Sequence, residues 1–225
     1  MYPLIDIHTH RKYNDNNVLF IRNAFLLNGI TLPEKLNYPI SVGLHPWLAR
    51  ANWKEELSVL DKMLHHPQVY AIGECGLDYM KGPDKSLQLE ILEAHFHLAM
   101  SHDLPLILHM VRSLHDLIPF LKKHPVQVII HDYSGSKEQT LQLLPYNVCF
   151  SLGQYFMKHS GKMQESVRMI PVDRIFTESD VHRTDLQKLY DLISTVKHYG
   201  ADHLRKQLCF NFVRIFKRHR IHAGN

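Results

Sequence analysis

The stretch AIGECGLDY, residues 71–79, places a carboxylate where a buried strand is expected to end. Val69, Tyr70, Ala71 and Ile72 form an apolar run, Gly73 breaks it, and Glu74 follows directly. A strand that ends in a charged residue is typical of a functional site. This stretch therefore predicts a buried strand that delivers Glu74 to such a site.

The same pattern recurs in four other stretches of the chain. Apolar runs end in His or Asp at LIDIHTH (residues 4–10), PLILHM (105–110), QVIIHD (127–132) and RIFTESD (174–180). Helix-like stretches lie between most of these runs, which predicts a parallel sheet whose strand ends all point one way. With further apolar runs counted, the predicted strands number eight and cover residues 3–7, 18–27, 39–43, 69–72, 105–108, 126–130, 147–153 and 174–177.

Eight such strands predict an α/β fold, a (β/α)8 TIM-type barrel. The segment between His10 and the third strand is only about thirty residues long, so we expect the first crossover helix to be reduced or missing. The last helix is predicted over residues 201–219, with Leu204, Leu208 and Phe212 on one face and a basic end at 217–220.

The bulk composition is that of one soluble domain. The chain has 225 residues, 45% hydrophobic and 21% charged, without a composition shift, which predicts a single domain over residues 1–225. Its apolar runs fall short of the roughly 20 residues that a membrane span needs. The first strand begins at about Pro3 and leaves no room for a signal peptide, so we expect a cytoplasmic protein without a membrane partner.

The number of cysteines and the net charge disfavour several classes of protein. Cys75, Cys149 and Cys209 are an odd number without paired spacing, so neither a disulfide framework nor a thiolate zinc site is indicated. The formal charge of +4 mildly favours a polyanionic substrate but is far from the basic stripe of a dedicated nucleic-acid binder. The sequence shows no evident obligate protein partner.

Six residues at strand ends form a chemically coherent set of metal ligands. Each one alone is also compatible with a core histidine or a helix cap, and the H-x-H pair alone with two exposed loop histidines. Together, a barrel brings them to one face, where imidazole and carboxylate suit Zn, Mn or a similar divalent ion. The predicted ligands are His8, His10, Glu74, His109, His131 and Asp180.

Two ions need a carboxylate between them, and Glu74 is the predicted bridge. We expect His8, His10, Glu74 and Asp180 to hold the first ion, and His109 and His131 to join Glu74 at the second. Glu74 and Asp180 are the predicted catalytic residues, and Asp180 is suited to take a proton from an activated water.

The motifs IDIHTH, VGLHPW, AIGECGLDY, LILH, IIHDYSGS, FSLG, DRIFTESD and NFVRIF resemble the TatD family of metal-dependent deoxyribonucleases in the amidohydrolase superfamily. The resemblance implies a distorted TIM barrel, a centre of one or two divalent ions (Zn, Mn or Mg), and hydrolysis of phosphodiester bonds in DNA. The family has longer segments before its GLHP element and at its C-terminus, so this barrel is expected to be somewhat trimmed.

For a DNA or other phosphodiester substrate, His45, Arg112 and His182 are the predicted phosphate-binding residues. A structural ion pair is an equal alternative for Arg112. Trp47, Tyr79, Tyr133 and Phe156 are aromatic residues that could stack on bases or pack in the core.

Two other functions fit the same sequence. An amidase, esterase or aminoacyl deacylase would use the same metal centre on a small carbonyl substrate. A non-catalytic nucleic-acid-binding or scaffold protein would keep the metal for structure alone.

Overall fold

The computed structural model describes residues 2–25, 32 and 36–218. Within these residues, eight parallel strands form one sheet in the order of the sequence. The strands are β1 (Leu4–Thr9), β2 (Val18–Phe25), β3 (Ile40–Gly43), β4 (Val69–Asp78), β5 (Leu106–Val111), β6 (Val128–Ile130), β7 (Val148–Leu152) and β8 (Ile175–Thr177).

Helices alternate with these strands over most of the described chain. They are α1 (Trp53–Met63), α2 (Lys85–His102), α3 (Leu114–Lys123), α4 (Lys137–Leu143), α5 (Gln154–Met169), α6 (Leu186–Lys197) and α7 (Ala201–Ile215), with short 3-10 helices at Pro46–Leu48 and Val172–Arg174. A Ser136–Gln139 capping box starts α4, with both of its reciprocal hydrogen bonds formed.

The first and last strands meet and nearly close the sheet into a barrel. Thr9 and Asp180 form a parallel bridge, in which the Asp180 amide donates to the His8 carbonyl at 2.9 Å. The buried Asp6 carboxylate accepts hydrogen bonds from both the amide and the hydroxyl of Ser179. The predicted (β/α)8 barrel is thus confirmed, and β1 runs into β2 through residues 10–17 without a crossover helix, as expected.

Strand lengths differ from the sequence prediction at two site residues. Glu74 and His109 were expected beyond the ends of their strands, but β4 continues to Asp78 and β5 to Val111. The ladder from Cys75–Leu108 to Asp78–Val111 holds both strands extended after their apolar runs have ended. Both side chains therefore project from strands rather than loops: His109 from the regular part of the β4–β5 ladder, and Glu74 from the register shift between Ile72 and Cys75.

The helices contain two further differences. The last helix was predicted to reach residue 219, but α7 ends at Ile215, where the Phe216 backbone leaves the helical conformation. Helix α5 was not predicted, because its apolar residues do not follow a clear helical spacing. Its backbone leaves the helical conformation at His159. The predicted end of the second strand at residues 26–27, and part of the basic end at 217–220, lie outside the described residues.

The core is one continuous set of buried apolar side chains inside the barrel and between the barrel and its helices. Ile72, Leu106 and Ile129 are fully buried members from neighbouring strands. In the described part of the chain, none of the helices has the length and apolar character needed to cross a bilayer.

Two glycines let β4 approach β5 closely on either side of Glu74. A Cβ at Gly76, whose φ is +140°, would lie 2.1 Å from the His109 carbonyl oxygen. A Cβ at Gly73 would lie 2.5 Å from the carbonyl oxygen of Ile107. Real Cβ atoms do not come so near a backbone oxygen, so the G-E-C-G pattern is required by strand packing.

We expect Gly76→Ala to destabilise the fold by about 2 kcal/mol or more, through overpacking and an unfavourable φ. The measurement is urea unfolding. Gly161→Ala is the matched control: that helical glycine has no atom within 4 Å of its added Cβ, and a gain of about 0.5 kcal/mol is expected there. Equal stability of Gly76→Ala and the wild type would contradict the close-approach argument.

Candidate metal centre

Five of the six predicted ligands line a cavity of about 380 Å³ at the carboxyl ends of the strands, and the sixth, His8, is fully buried. This is the barrel face at which active sites of this fold occur. The cavity is lined by polar and apolar side chains. The polar ones are His10, His45, Glu74, His109, His131 and Asp180.

The Glu74 carboxylate lies at the centre of this group and is 4% exposed. Its Oε1 atom is 2.8 Å from His109 Nδ1, 2.9 Å from His131 Nε2 and 3.1 Å from His45 Nε2. One carboxylate oxygen has only about two lone pairs for hydrogen bonds. Three imidazole nitrogens exceed this number, so they are better explained as ligands of a shared cation.

The other oxygen of Glu74 faces the first strand. Oε2 lies 3.4 Å from His8 Nε2 and accepts a hydrogen bond from the Asn23 side-chain amide at 3.3 Å. Asn23 also accepts a hydrogen bond from the Glu74 backbone amide at 3.0 Å. Asn23 on β2 thus fixes the carboxylate so that its two oxygens point to different sets of ligands.

Asp180 completes the set on the side of β1. Its Oδ1 atom lies 3.4 Å from His8 Nε2 and 3.2 Å from His10 Nε2. A tetrahedral zinc ion with bonds of about 2.05 Å holds its ligand atoms about 3.3 Å apart. The distances from Asp180 Oδ1 to the Nε2 atoms of His8 and His10 match this separation between ligand atoms.

Two buried carboxylates hold the far sides of the second group of histidines. His109 Nε2 is 3.1 Å from Asp78 Oδ2, and His131 Nδ1 is 3.2 Å from Glu178 Oε1. Glu178 is fully buried and also accepts the Asp132 amide at 2.9 Å. Carboxylates in this position orient metal-binding imidazoles and raise their basicity.

The charges of the site are strongly coupled. Burial raises the pKa of Glu74, but the charge of His131 and the hydrogen bonds of His109, His131 and His45 outweigh it and hold this pKa well below the usual value. Burial and the His131 charge lower the pKa of His8, but the Asp180 and Glu74 carboxylates raise it to about 9. Without an ion, protons must supply the positive charge that these carboxylates require.

His8 gives the most direct sign that the arrangement suits a metal ion. Its ring is fully buried, and among the described residues neither ring nitrogen has a hydrogen-bond partner of good geometry. A buried polar nitrogen without a partner is costly. Two groups, His8–His10–Glu74 and His45–Glu74–His109, have ligand atoms close enough together to hold an ion, and the donor set of imidazoles and carboxylates fits a divalent metal.

The three predicted phosphate-binding residues lie in different places. His45 is 4% exposed and lies among the candidate ligands rather than at the rim. Arg112 and His182 are exposed at the ends of β5 and β8, and neither lines the cavity formed by the described residues. Their role in binding substrate stays a prediction.

Sequence reasoning missed Asn23, Asp78 and Glu178. A signal existed for Asp78, because Glu74 and Asp78 are four residues apart on one strand and so share a face. Asn23 lies in the middle of β2, and Glu178 lies two residues before the predicted ligand Asp180. The sequence therefore offered little to distinguish these two side chains from ordinary polar residues.

Comparisons with known proteins identify the family to which the chain belongs. A family model described as TatD related DNase matches residues 27–217, a range that begins after the H-x-H pair. The chain is 33% identical over 146 residues to an uncharacterized metal-dependent hydrolase, YabD, of Bacillus subtilis, covering 62% of this chain and 57% of that protein. It is 28% identical over 148 residues to a 3'-5' ssDNA/RNA exonuclease TatD of Erwinia billingiae, covering 62% and 56%.

Solved structures support the fold over nearly the whole chain. The TatD homologue YjjV of Escherichia coli superposes with a TM-score of 0.78 at 21% identity, covering 95% of this chain and 98% of that one. A TatD family hydrolase of Entamoeba histolytica gives a TM-score of 0.77 at 18% identity, covering 97% and 99%.

The sequence match to the bacterial relatives is more limited, since the chain covers little more than half of their length. The family model nevertheless matches most of the chain. The chain therefore belongs to the family of TatD-related DNases.

Proposed function

We propose that this chain is a metal-dependent hydrolase that cleaves phosphodiester bonds in DNA, with single-stranded DNA as its substrate. The observation that carries the proposal is the buried Glu74 carboxylate, whose two oxygens face separate groups of ligand-type side chains. The relative named as a 3'-5' ssDNA/RNA exonuclease supports the choice of bond and substrate.

Glu74 would bridge two sites for divalent ions. His8, His10 and Asp180 would hold one ion, and His109 and His131 the other, as the sequence predicted. We add His45 to the second group, because its Nε2 atom lies 3.1 Å from Glu74 Oε1, against 2.8 Å for His109 Nδ1 and 2.9 Å for His131 Nε2. Bound ions would supply Lewis acidity and make water nucleophilic near neutral pH.

The side chains of the cavity would perform the remaining steps. Asp180 is 22% exposed at the cavity edge, so it can reach both the buried histidines and an attacking water. We assign it the role of taking the proton from that water. Glu74, deep in the site, keeps its charge throughout and sets the positions of the ligands.

Trp47 provides a surface for a nucleobase beside the metal centre. It is 48% exposed at the cavity, and its indole N–H donates to Asp78 Oδ2 at 2.6 Å. The Lys81 ammonium lies 4.3 Å from the centre of its ring. An anchored, half-exposed indole beside a cation is well suited to stack on a base and contact its phosphate.

One observation favours the alternative substrate class, a small amide or ester. Neither Arg112 nor His182 lines the cavity in the described part of the chain, and Leu48 and Val181 contribute apolar surface there. A carbonyl substrate needs no guanidinium to bind its charge. Hydrolysis of a carbonyl ester panel, without cleavage of nucleotide diesters, would establish this alternative.

We expect Glu74→Gln to lower DNA cleavage by roughly a thousandfold or more, because an amide cannot bridge two cations and the metal contribution is worth several kcal/mol. The measurement is cleavage of end-labelled single-stranded DNA by metal-stripped protein with Mg, Mn or Zn restored. Glu165→Gln, whose carboxylate is exposed on α5, is the control and should cut like the wild type. Full activity of Glu74→Gln would refute the bridging role.

We expect Glu178→Gln to weaken divalent-metal binding by about 10- to 100-fold, since the carboxylate behind His131 increases its basicity. Titration calorimetry with Zn²⁺ measures the affinity, and the same Glu165→Gln variant is the control. The melting temperature of the metal-free protein separates this effect from simple unfolding. An unchanged affinity in a folded variant would show that Glu178 has no influence on the centre.

We expect Trp47→Ala to raise KM for a single-stranded oligonucleotide by about 5- to 150-fold, because stacking is worth about 1–3 kcal/mol per base. Trp47→Phe should retain most of the affinity. Hydrolysis of bis(p-nitrophenyl) phosphate, a phosphodiester without a nucleobase, should change less than cleavage of the oligonucleotide. Phe210, an exposed aromatic on α7, gives the control Phe210→Ala. Equal losses on both substrates would mean that Trp47 acts through Asp78 rather than by stacking.

A further inference from the structure

A second group of metal-ligand side chains lies outside the barrel, where α2 meets the end of α3. Glu93 and His97 are four residues apart on α2 and so share one face of that helix. His124 is the residue that ends α3. None of the three touches the centre described above, and the proposed hydrolysis does not use them.

The separations within this group are those of a metal site. Glu93 Oε1 is 3.3 Å from His97 Nε2 and 3.0 Å from His124 Nε2. Ligand atoms of a tetrahedral zinc ion lie about 3.3 Å apart, so two of the three distances between the ligand atoms already suit such an ion. All three ligand atoms lie within 4.8 Å of one another, and His97, at 58% side-chain exposure, is free to rotate and shorten the third distance.

The other histidine is held in place before any ion binds. His124 is 3% exposed, and its ring stacks on Phe96 with centroids 5.3 Å apart and planes 28° apart. Its backbone amide donates to the Phe120 carbonyl at 2.8 Å. This packing directs Nε2 towards Glu93, so the His124 side chain would lose little conformational entropy when an ion binds.

Lys123 competes for the same carboxylate. Its ammonium donates a hydrogen bond to Glu93 Oε1. Burial raises the pKa of Glu93, but the hydrogen bonds from Lys123 and His124 outweigh it and lower this pKa, so the carboxylate is ionised and ready to bind a cation. The Lys123 side chain is 63% exposed and can swing into solvent when an ion arrives.

We propose that Glu93, His97 and His124 form a peripheral site for Zn²⁺ or a similar divalent ion. Two imidazoles and a carboxylate are the donor set that zinc takes with three protein ligands, and the fourth position is open to water. The ion would join α2 to the end of α3 on the outside of the barrel. It would also add one ion to the number bound per chain.

The test is Zn²⁺ binding to the metal-stripped full-length protein, by equilibrium dialysis with elemental analysis and by calorimetry. His97→Ala should bind one Zn²⁺ fewer per chain than the wild type at saturation, while the melting temperature of the metal-free protein and the hydrolytic activity stay unchanged. His115→Ala, which removes an exposed histidine from α3, is the matched control and should keep the wild-type stoichiometry.

Lys123→Met supplies the second arm. Removing the competing unit charge that donates a hydrogen bond to Glu93 Oε1 should tighten binding of the peripheral ion about tenfold. Equal stoichiometry in His97→Ala and the wild type would overturn the proposal and leave a hydrogen-bonded cluster only. An unchanged affinity in Lys123→Met would also overturn it. Both arms read metal binding directly, so they stand whether or not the proposed nuclease activity is found.

Discussion

The burial of the Glu74 charge is the constraint on which the rest of the structure depends. A carboxylate that is 4% exposed must be balanced by nearby positive charge or strong donors. On one oxygen, imidazoles from β5, from the end of β6 and from the segment after β3 supply this balance. On the other oxygen, an imidazole from β1 and the Asn23 side-chain amide from β2 supply it. Five of the eight strands thus contribute side chains, from within the strand or just after its end, to the surroundings of one carboxyl group.

The supporting interactions lie one step further out. Asp78 and Glu178 hold the outer nitrogens of His109 and His131, and Asp78 also accepts the indole N–H of Trp47. Asp78 thus connects the ligand group to the exposed surface of the cavity. Because one carboxylate positions both His109 and Trp47, the orientation of a candidate metal ligand and that of an exposed aromatic side chain are set together.

Much of the barrel and the candidate ligands could be predicted because strands, ligands and helices each follow a short-range pattern. Apolar runs ending in His or Asp identified the convergent face, but they ended before the strands did at Glu74 and His109, since hydrogen bonding continues where hydrophobicity stops. The 18 histidines could not be sorted fully by sequence. His95 is an example: burial outweighs its hydrogen bond to Ile91 and lowers its pKa to about 4, so it is a neutral core residue. The depth of His45 and the positions of Arg112 and His182 depend on tertiary packing that no local pattern records.

The seam between β1 and β8 has a consequence for the order of events during synthesis. Asp6 and Ser179, whose hydrogen bonds close the barrel, are 173 positions apart, and Asp180 lies next to that seam. During synthesis His8 and His10 emerge with β1, and Asp180 follows only after seven further strands. The proposed site of His8, His10 and Asp180 is thus completed by the same step that completes the barrel, and a chain interrupted before β8 lacks Asp180.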